Sequence, residues 1–246
     1  MVEYIGVDGC RAGWLVIGLS EAHQWQIEIA PTFRAVWERC NAASLILIDI
    51  PIGLRERGSQ ERQCDREARA ILGACRRSSI FPVPCRAALY ARDYRRASAI
   101  NEQRCGRKLS KQSWNIASKI REVDLGLRQN PEAQTKVCEI HPEILFWSLN
   151  GGRAMTCNKR TPAGFRERLR VLESHFAGAP HLVNHALQQF SHSEVSPDDI
   201  LDAFAAALTS VLSKGNLSSI PEKPEVDRFG LPMRMVYWRP LSNLLG

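Results

Sequence analysis

The first fifty residues most tightly limit what this chain can fold into. Residues 2–8 (VEYIGVD), 14–20 (WLVIGLS) and 24–30 (QWQIEIA) are short apolar runs of strand character, separated only by Gly9 to Gly13 and by Glu21 to His23. Connections this brief join antiparallel neighbours, because a parallel return needs a crossover of about a dozen residues. A three-stranded meander is therefore expected to open the domain. Residues 31–41 predict a helix, with Pro31 at an early position where its missing N–H does no harm. The next run, 44–48, is apolar throughout and ends at Asp49-Ile50-Pro51, as expected of a strand covered on both faces in a parallel pairing.

From Gly53 to Asn130 the pattern turns helical and rich in arginine, with helices expected near 59–73, 86–104 and 111–128 and a loop at SSIFPVPC. Strand character returns over 135–140 and stops at His141-Pro142, since proline cannot donate to a ladder inside a sheet. Helical periodicity follows at 143–149, 162–176, 180–190 and 197–213, and 233–238 is a weaker closing strand. The expected architecture is a single α/β domain over residues 1–246: a mixed five-stranded sheet flanked by helices, with a mainly helical, Arg-rich insertion at 53–130 between strands four and five. A chain of 246 residues with 44% hydrophobic content can bury a core of that size. No run reaches the ~18 apolar residues of a membrane span, and the start has no basic leader, so a cytoplasmic protein without membrane contact is expected. The eight cysteines include no C-x-x-C and no zinc-like spacing with histidine, which predicts buried, reduced thiols.

The acidic residues carry the chemistry. Asp8, Asp49 and Glu139 fall at the carboxyl ends of strands one, four and five, the edge at which open α/β sheets gather their ligands. Asp199 and Asp202 share a face of the late helix, and Ala203, Ala206 and Ala207 would let that helix approach the sheet closely. Carboxylates brought together repel and raise one another's pKa, so a divalent cation is expected to compensate them. All-oxygen ligands suit Mg²⁺ or Mn²⁺, and two such ions holding an attacking water and a leaving oxygen in line would hydrolyse a phosphodiester. Each acid also has a plain structural role open to it. Asp8-Gly9 is a turn signal, Asp49 can end a strand before Pro51, and Asp198 and Asp199 suit the helix start at Ser196-Pro197. On strand five, period two places His141 beside Glu139, and Glu143 follows Pro142 where it can stabilise the next helix.

The positive charge is concentrated. Residues 51–130 hold 18 Lys and Arg against 8 Asp and Glu, a net of +10, which leaves −3 for the rest of a chain whose total is +7. Arg62, Arg66 and Arg69 fall at i, i+4, i+7 on one predicted helix face, and Arg76-Arg77-Ser78-Ser79 adds two guanidiniums and two hydroxyls in a loop. Such groups suit phosphate oxygens, so a nucleic acid or other phosphoester is the expected partner. Lys119 extends the field, and Trp114 is either a stacking surface or core. For any single arginine, an intrahelical ion pair with Glu61, Asp65 or Glu67 is the competing reading.

Together, VDGCRAGW, IDIPIGL, RQCDREAR with SSIFPVP, KLSKQSWNIASKIREVD, EIHPE and DDILDAFAAA resemble the pattern of the family known as domain of unknown function 429 (DUF429), predicted nucleases of ribonuclease H-like fold. The resemblance runs over about residues 3–238, and the order of strands and helices agrees with it. It implies a ribonuclease H-like sheet and a metal-dependent nuclease. Holliday-junction resolvases of that superfold are similar in layout, their acids corresponding to Asp8, Asp49, Asp199 and Asp202 here. The chain departs from them in carrying Asp on strand four and in its Arg-rich insertion. A non-catalytic nucleic-acid-binding module is the alternative. An ATP-dependent phosphotransferase of the actin-like superfold comes third, because the hairpin Asp8 to Gly13 has no Ser or Thr to hold phosphate.

Overall fold

A computed structural model describes residues 3–239; Val2 of the first expected strand and the residues from 240 onward lie outside the described residues. The meander forms as expected: β1 (Tyr4–Cys10), β2 (Gly13–Leu19) and β3 (Trp25–Ala30) pair antiparallel in sequence order. Helix α1 (Phe33–Cys40) starts two residues after Pro31, because the Thr32 side chain caps the Ala35 N–H. It returns the chain to β4 (Leu45–Ile48), which lies parallel to β1, and β5 (Val137–Glu139) lies parallel to β4. The result is a mixed five-stranded sheet in the order β3-β2-β1-β4-β5, with helices on both faces.

Between β4 and β5 lie α2 (Gln63–Arg76), short 3₁₀ turns at 77–79 and 86–90, α3 (Tyr94–Cys105), α4 (Lys111–Asn115), α5 (Ala117–Gln129) and α6 (Pro131–Lys136). This segment is helical as expected, but its boundaries shift for local reasons. The helix expected at 59–73 starts at Gln63 and breaks near its expected end at Gly73, whose φ and ψ of 60° and −164° are not helical, before a last turn to Arg76. The helix expected at 86–104 splits because Asp93 accepts from the Arg96 N–H and starts a new one. The one expected at 111–128 breaks at Ile116, whose φ and ψ of −103° and 2° are not helical. Strand five is shorter than 135–140, since Asn130 caps a helical turn whose first residue is Pro131.

Four helices follow: α7 (Pro142–Leu149), α8 (Pro162–His175), α9 (Ala179–Gln189) and α10 (Pro197–Ser213). The closing strand β7 (Met235–Tyr237) pairs with β6 (Ser218–Ile220) in a separate two-stranded sheet, so it does not extend the main one. Alternation along the strands divides the core. Tyr4, Leu15, Ile17 and Leu47 pack with α7 to α10, while Ile5, Val7, Val16 and Ile48 pack with α1 and α5. Among the described residues no helix is long and apolar enough to cross a membrane.

One contact sets how closely α10 approaches the sheet. A Cβ built on Gly6 of β1 would lie 2.1 Å from the Ala203 carbonyl oxygen and 2.2 Å from the Ala207 backbone nitrogen. Only a residue without a side chain admits α10 this close to the sheet, and the alanines at 203, 206 and 207 provide the matching helix face. Asp202, next to Ala203, is thereby held over β1.

Candidate metal centre

Asp8 lies two residues after Gly6 on β1 and so points to the same face, toward α10. The Asp49 N–H donates to the Val7 carbonyl at 2.9 Å, extending the parallel ladder by one residue and setting Asp49 beside Asp8. Oxygens of Asp8, Asp49 and Asp202 all lie within 4.8 Å of one another. Asp8 receives the Gly9 N–H at 2.7 Å, whereas the Asp49 carboxylate accepts no hydrogen bond among the described residues. Asp202 is 1% exposed; one oxygen accepts from Lys159 Nζ at 2.6 Å and the other, Oδ1, is buried with no partner.

Burial and mutual repulsion raise the pKa of all three carboxyls. Burial, reinforced by Asp49, Asp199 and Asp202, raises the Asp8 carboxyl well above its ordinary range. Burial and then Asp202 push Asp49 up to about 8, and burial raises Asp202 even against the pull of Lys159. Asp199 lines the same cleft, but one of its oxygens accepts from the Ser196 N–H at 2.9 Å, closing the first turn of α10. It therefore combines a capping contact with a place at the rim of the site.

Glu139 lines the same cleft but belongs to a neighbouring group. Its register partner on β4 is Ile48, one position away from Asp49, so alternation turns it off the face that carries Asp8 and Asp49. It accepts from Arg62 at 2.7 and 2.8 Å and from the Ile52 N–H at 2.6 Å, and Arg62 also holds Asp65 at 2.6 and 3.1 Å. Cys64, Asp65 and Glu139 form a second group of closely spaced ligand atoms, but the Arg62 guanidinium already supplies its positive charge. Arg62, Arg66 and Arg69 do not share a phosphate-facing helix side as expected. Arg62 precedes the helix as its N-cap residue and is 3% exposed, Arg69 pairs with Glu61 and donates to the Ile80 carbonyl, and exposed Arg66 reaches the Glu61 carbonyl. A second arginine of the segment is also internal: Arg86 is buried among Glu56, Asp124 and Asp227.

A cleft of about 1640 Å³ is lined by Asp8, Asp49, Asp199 and Glu139. Of the expected phosphate contacts, Arg76, Ser78, Ser79 and Lys119 line it, along with buried Arg62, while Arg66, Arg69 and Arg77 do not. Arg76 is anchored by donation to the Met155 carbonyl at 2.7 Å, and Lys119 sits 4.5 Å above the Trp14 ring while donating to the Gly13 carbonyl. Trp114 packs edge-on against Tyr94. His141 caps α7 by accepting from the Glu143 N–H, and burial pushes its ring down to about 4, so it is neutral near pH 7. Glu143 pairs with buried Arg168 at 2.7 Å.

Lys159 is the residue sequence reasoning missed. It reaches Asp202 at 2.6 Å and Asp198 at 3.3 Å from a loop with no periodicity to mark it. The only available signal was its place two residues before Thr161-Pro162, a helix start that fixes the preceding turn.

The fold is thus a mixed α/β sheet with three carboxylates gathered at the ends of adjacent parallel strands and on an abutting helix. The profile of the family described as "Protein of unknown function (DUF429)" matches residues 6–226, and the chain belongs to that family. No curated protein and no solved structure matches it.

Proposed function

We propose that this protein is a metal-dependent phosphodiesterase acting on nucleic acid, built on a ribonuclease H-like fold. The observation that carries the reading is the group of Asp8, Asp49 and Asp202 oxygens within 4.8 Å of one another, with Asp202 Oδ1 buried and unpartnered. The sheet order, in which β2 alone runs against the others, supports the ribonuclease H-like assignment.

The donor set suits Mg²⁺ or Mn²⁺, since it is all carboxylate oxygen, and Asp8, Asp49 and Asp202 would hold the ion with Asp199 at its edge. When bound, a divalent cation lowers the pKa of water and stabilises charge on phosphoryl oxygens. In the reaction a water oxygen bonds to phosphorus, the bond from phosphorus to one ester oxygen breaks, the water gives up a proton to solvent and the departing oxygen takes one up. The side chains of the cleft position this substrate. Arg76 presents its remaining guanidinium nitrogens, Ser78 and Ser79 their hydroxyls, and Lys119 its ammonium, all suited to phosphate oxygens flanking the reacting centre. Neutral His141 is a helix cap in this reading and takes no proton.

The test is cleavage of labelled single-stranded, duplex, hybrid and branched nucleic acids with Mg²⁺ or Mn²⁺. Expected are products that vanish with chelator and with Asp8→Asn or Asp202→Asn while the variants stay folded. Failure to cleave any of them with either metal over a wide enzyme range would overturn the catalytic reading. Salt-dependent binding that ignores chelator and Asp8→Asn would identify a non-catalytic nucleic-acid-binding module instead.

A further inference from the structure

Two groups of buried and half-buried acids lie close to each other in this fold, and each has a basic side chain of its own. At Glu139 and Asp65 the Arg62 fork meets both carboxylates through four hydrogen bonds between 2.6 and 3.1 Å. At Asp8, Asp49 and Asp202 the compensation is partial: Lys159 Nζ takes one oxygen of Asp202 and leaves Oδ1 without a partner. The first group is closed, whereas the second is half filled.

Lys159 is built into its position. On α8, Glu167 accepts from the Thr156 and Cys157 N–H groups at 2.8 Å each, and the neighbouring Arg168, fully buried, donates to the Cys157 carbonyl at 3.1 Å. Thr161 Oγ1 donates to the Asn158 carbonyl at 2.8 Å, and a Cβ on Gly164 would lie 1.9 Å from that same oxygen. The turn on both sides of Lys159 is thus clamped to the helix that follows it. Side-chain entropy that a free surface lysine would lose on pairing is already reduced, and the ammonium is preorganised on Asp202.

We propose that this centre takes one divalent cation per chain, with the Lys159 ammonium filling the place of a second. The proposal rests on the metal-dependent reading above and specifies its stoichiometry. Lys159 Nζ already occupies one oxygen of Asp202, so only Oδ1 of that carboxylate is left open to a cation. The unpartnered Asp202 Oδ1, together with the Asp8 and Asp49 oxygens, supplies the ligands for that one ion. An ammonium has three N–H donors, and Asp202 and Asp198 take two of them. Its side chain is one-third exposed beside the cleft, so the third donor is left for a phosphate oxygen of the substrate. The substrate phosphate would then meet a metal ion on one side and a fixed ammonium on the other.

The experiment counts ions. Full-length protein at a fixed pH is titrated with Mn²⁺, with free Mn²⁺ followed by its electron paramagnetic resonance signal. One ion per chain is expected for the wild type and for Lys159→Arg, and two for Lys159→Gln, in which the second place is open. Two ions in the wild type would overturn the proposal whatever the variants do, and so would a single ion in a folded Lys159→Gln. Both results leave the metal-dependent reading standing. Binding of no ion by the wild type and by Lys159→Gln would remove both, since the carboxylates would then hold no metal with or without the lysine.

Discussion

Substitution of Gly6 by alanine tests whether the close approach of α10 to β1 is what assembles the acids. The added methyl would sit 2.1 Å from the Ala203 oxygen and 2.2 Å from the Ala207 nitrogen, where ordinary contact begins at 3.4 Å. Both are backbone atoms, so no side-chain rotation relieves the clash, and the helix must withdraw by about 1.3 Å, the difference between the first of those distances and ordinary contact. Overpacking of this kind costs about 1–3 kcal/mol, which for a domain of this size lowers the melting temperature by roughly 2–12 °C. The same withdrawal carries Asp202 away from Asp8 and Asp49, because Asp202 adjoins the residue that is pushed. Thermal unfolding followed by circular dichroism, with and without Mn²⁺, reads both effects: a lower midpoint in chelator and a smaller rise on adding metal than in the wild type. A variant with an unchanged midpoint and an undiminished Mn²⁺-induced rise would refute the claim that this contact positions the site.

Other consequences can be measured with the same protein. Because the folded chain raises the Asp49 carboxyl from an ordinary value of 3.8 to about 8, this group favours folding at low pH, and its contribution is lost as pH rises through about 8. Metal-free protein should therefore lose stability in denaturant titrations between about pH 4 and 8, and Asp49→Asn should flatten that decline; identical pH profiles would contradict the raised value. Arg62→Ala should cost about 3–5 kcal/mol in chemical denaturation, since it strands Asp65 and Glu139 in the interior, whereas Arg66→Ala should leave stability unchanged. Arg76→Ala and Lys119→Ala should weaken binding of a short oligonucleotide several-fold in fluorescence anisotropy and Arg77→Ala should not, because only the first two line the cleft; equal losses at all three would point to a diffuse basic surface.

How much of this was legible in the sequence depends on the range over which each feature is decided. The meander and β4 are local: apolar runs and turn signals settle them, and the acid that closes each run follows the strand to its end. Asp202 was legible because the alanine face beside it announced a close helix contact, although Gly6, the other half of that contact, carries no signal of its own. The helix boundaries in the segment between β4 and β5 were misplaced where a single cap, Asp93 or Asn130, outweighs periodicity. Arg62 read as a surface arginine because its partner Glu139 is 77 residues away, and only the packing of α2 against β5 joins them. The same holds for Lys159, whose contact with Asp202 spans 43 residues and depends on a loop without pattern that donates to Glu167 and accepts from Arg168. Spacing along a strand or helix reveals which residues share a face. It does not reveal which distant side chain neutralises them.

A cation at the three carboxylates is central to the proposed chemistry, and the most direct measurement of it is anomalous diffraction at the manganese edge from crystals grown with Mn²⁺. The expected result is an anomalous peak within ligand distance of Asp8, Asp49 and Asp202. Well-ordered carboxylates at that position with no peak, or a peak only at Cys64, Asp65 and Glu139, would contradict it.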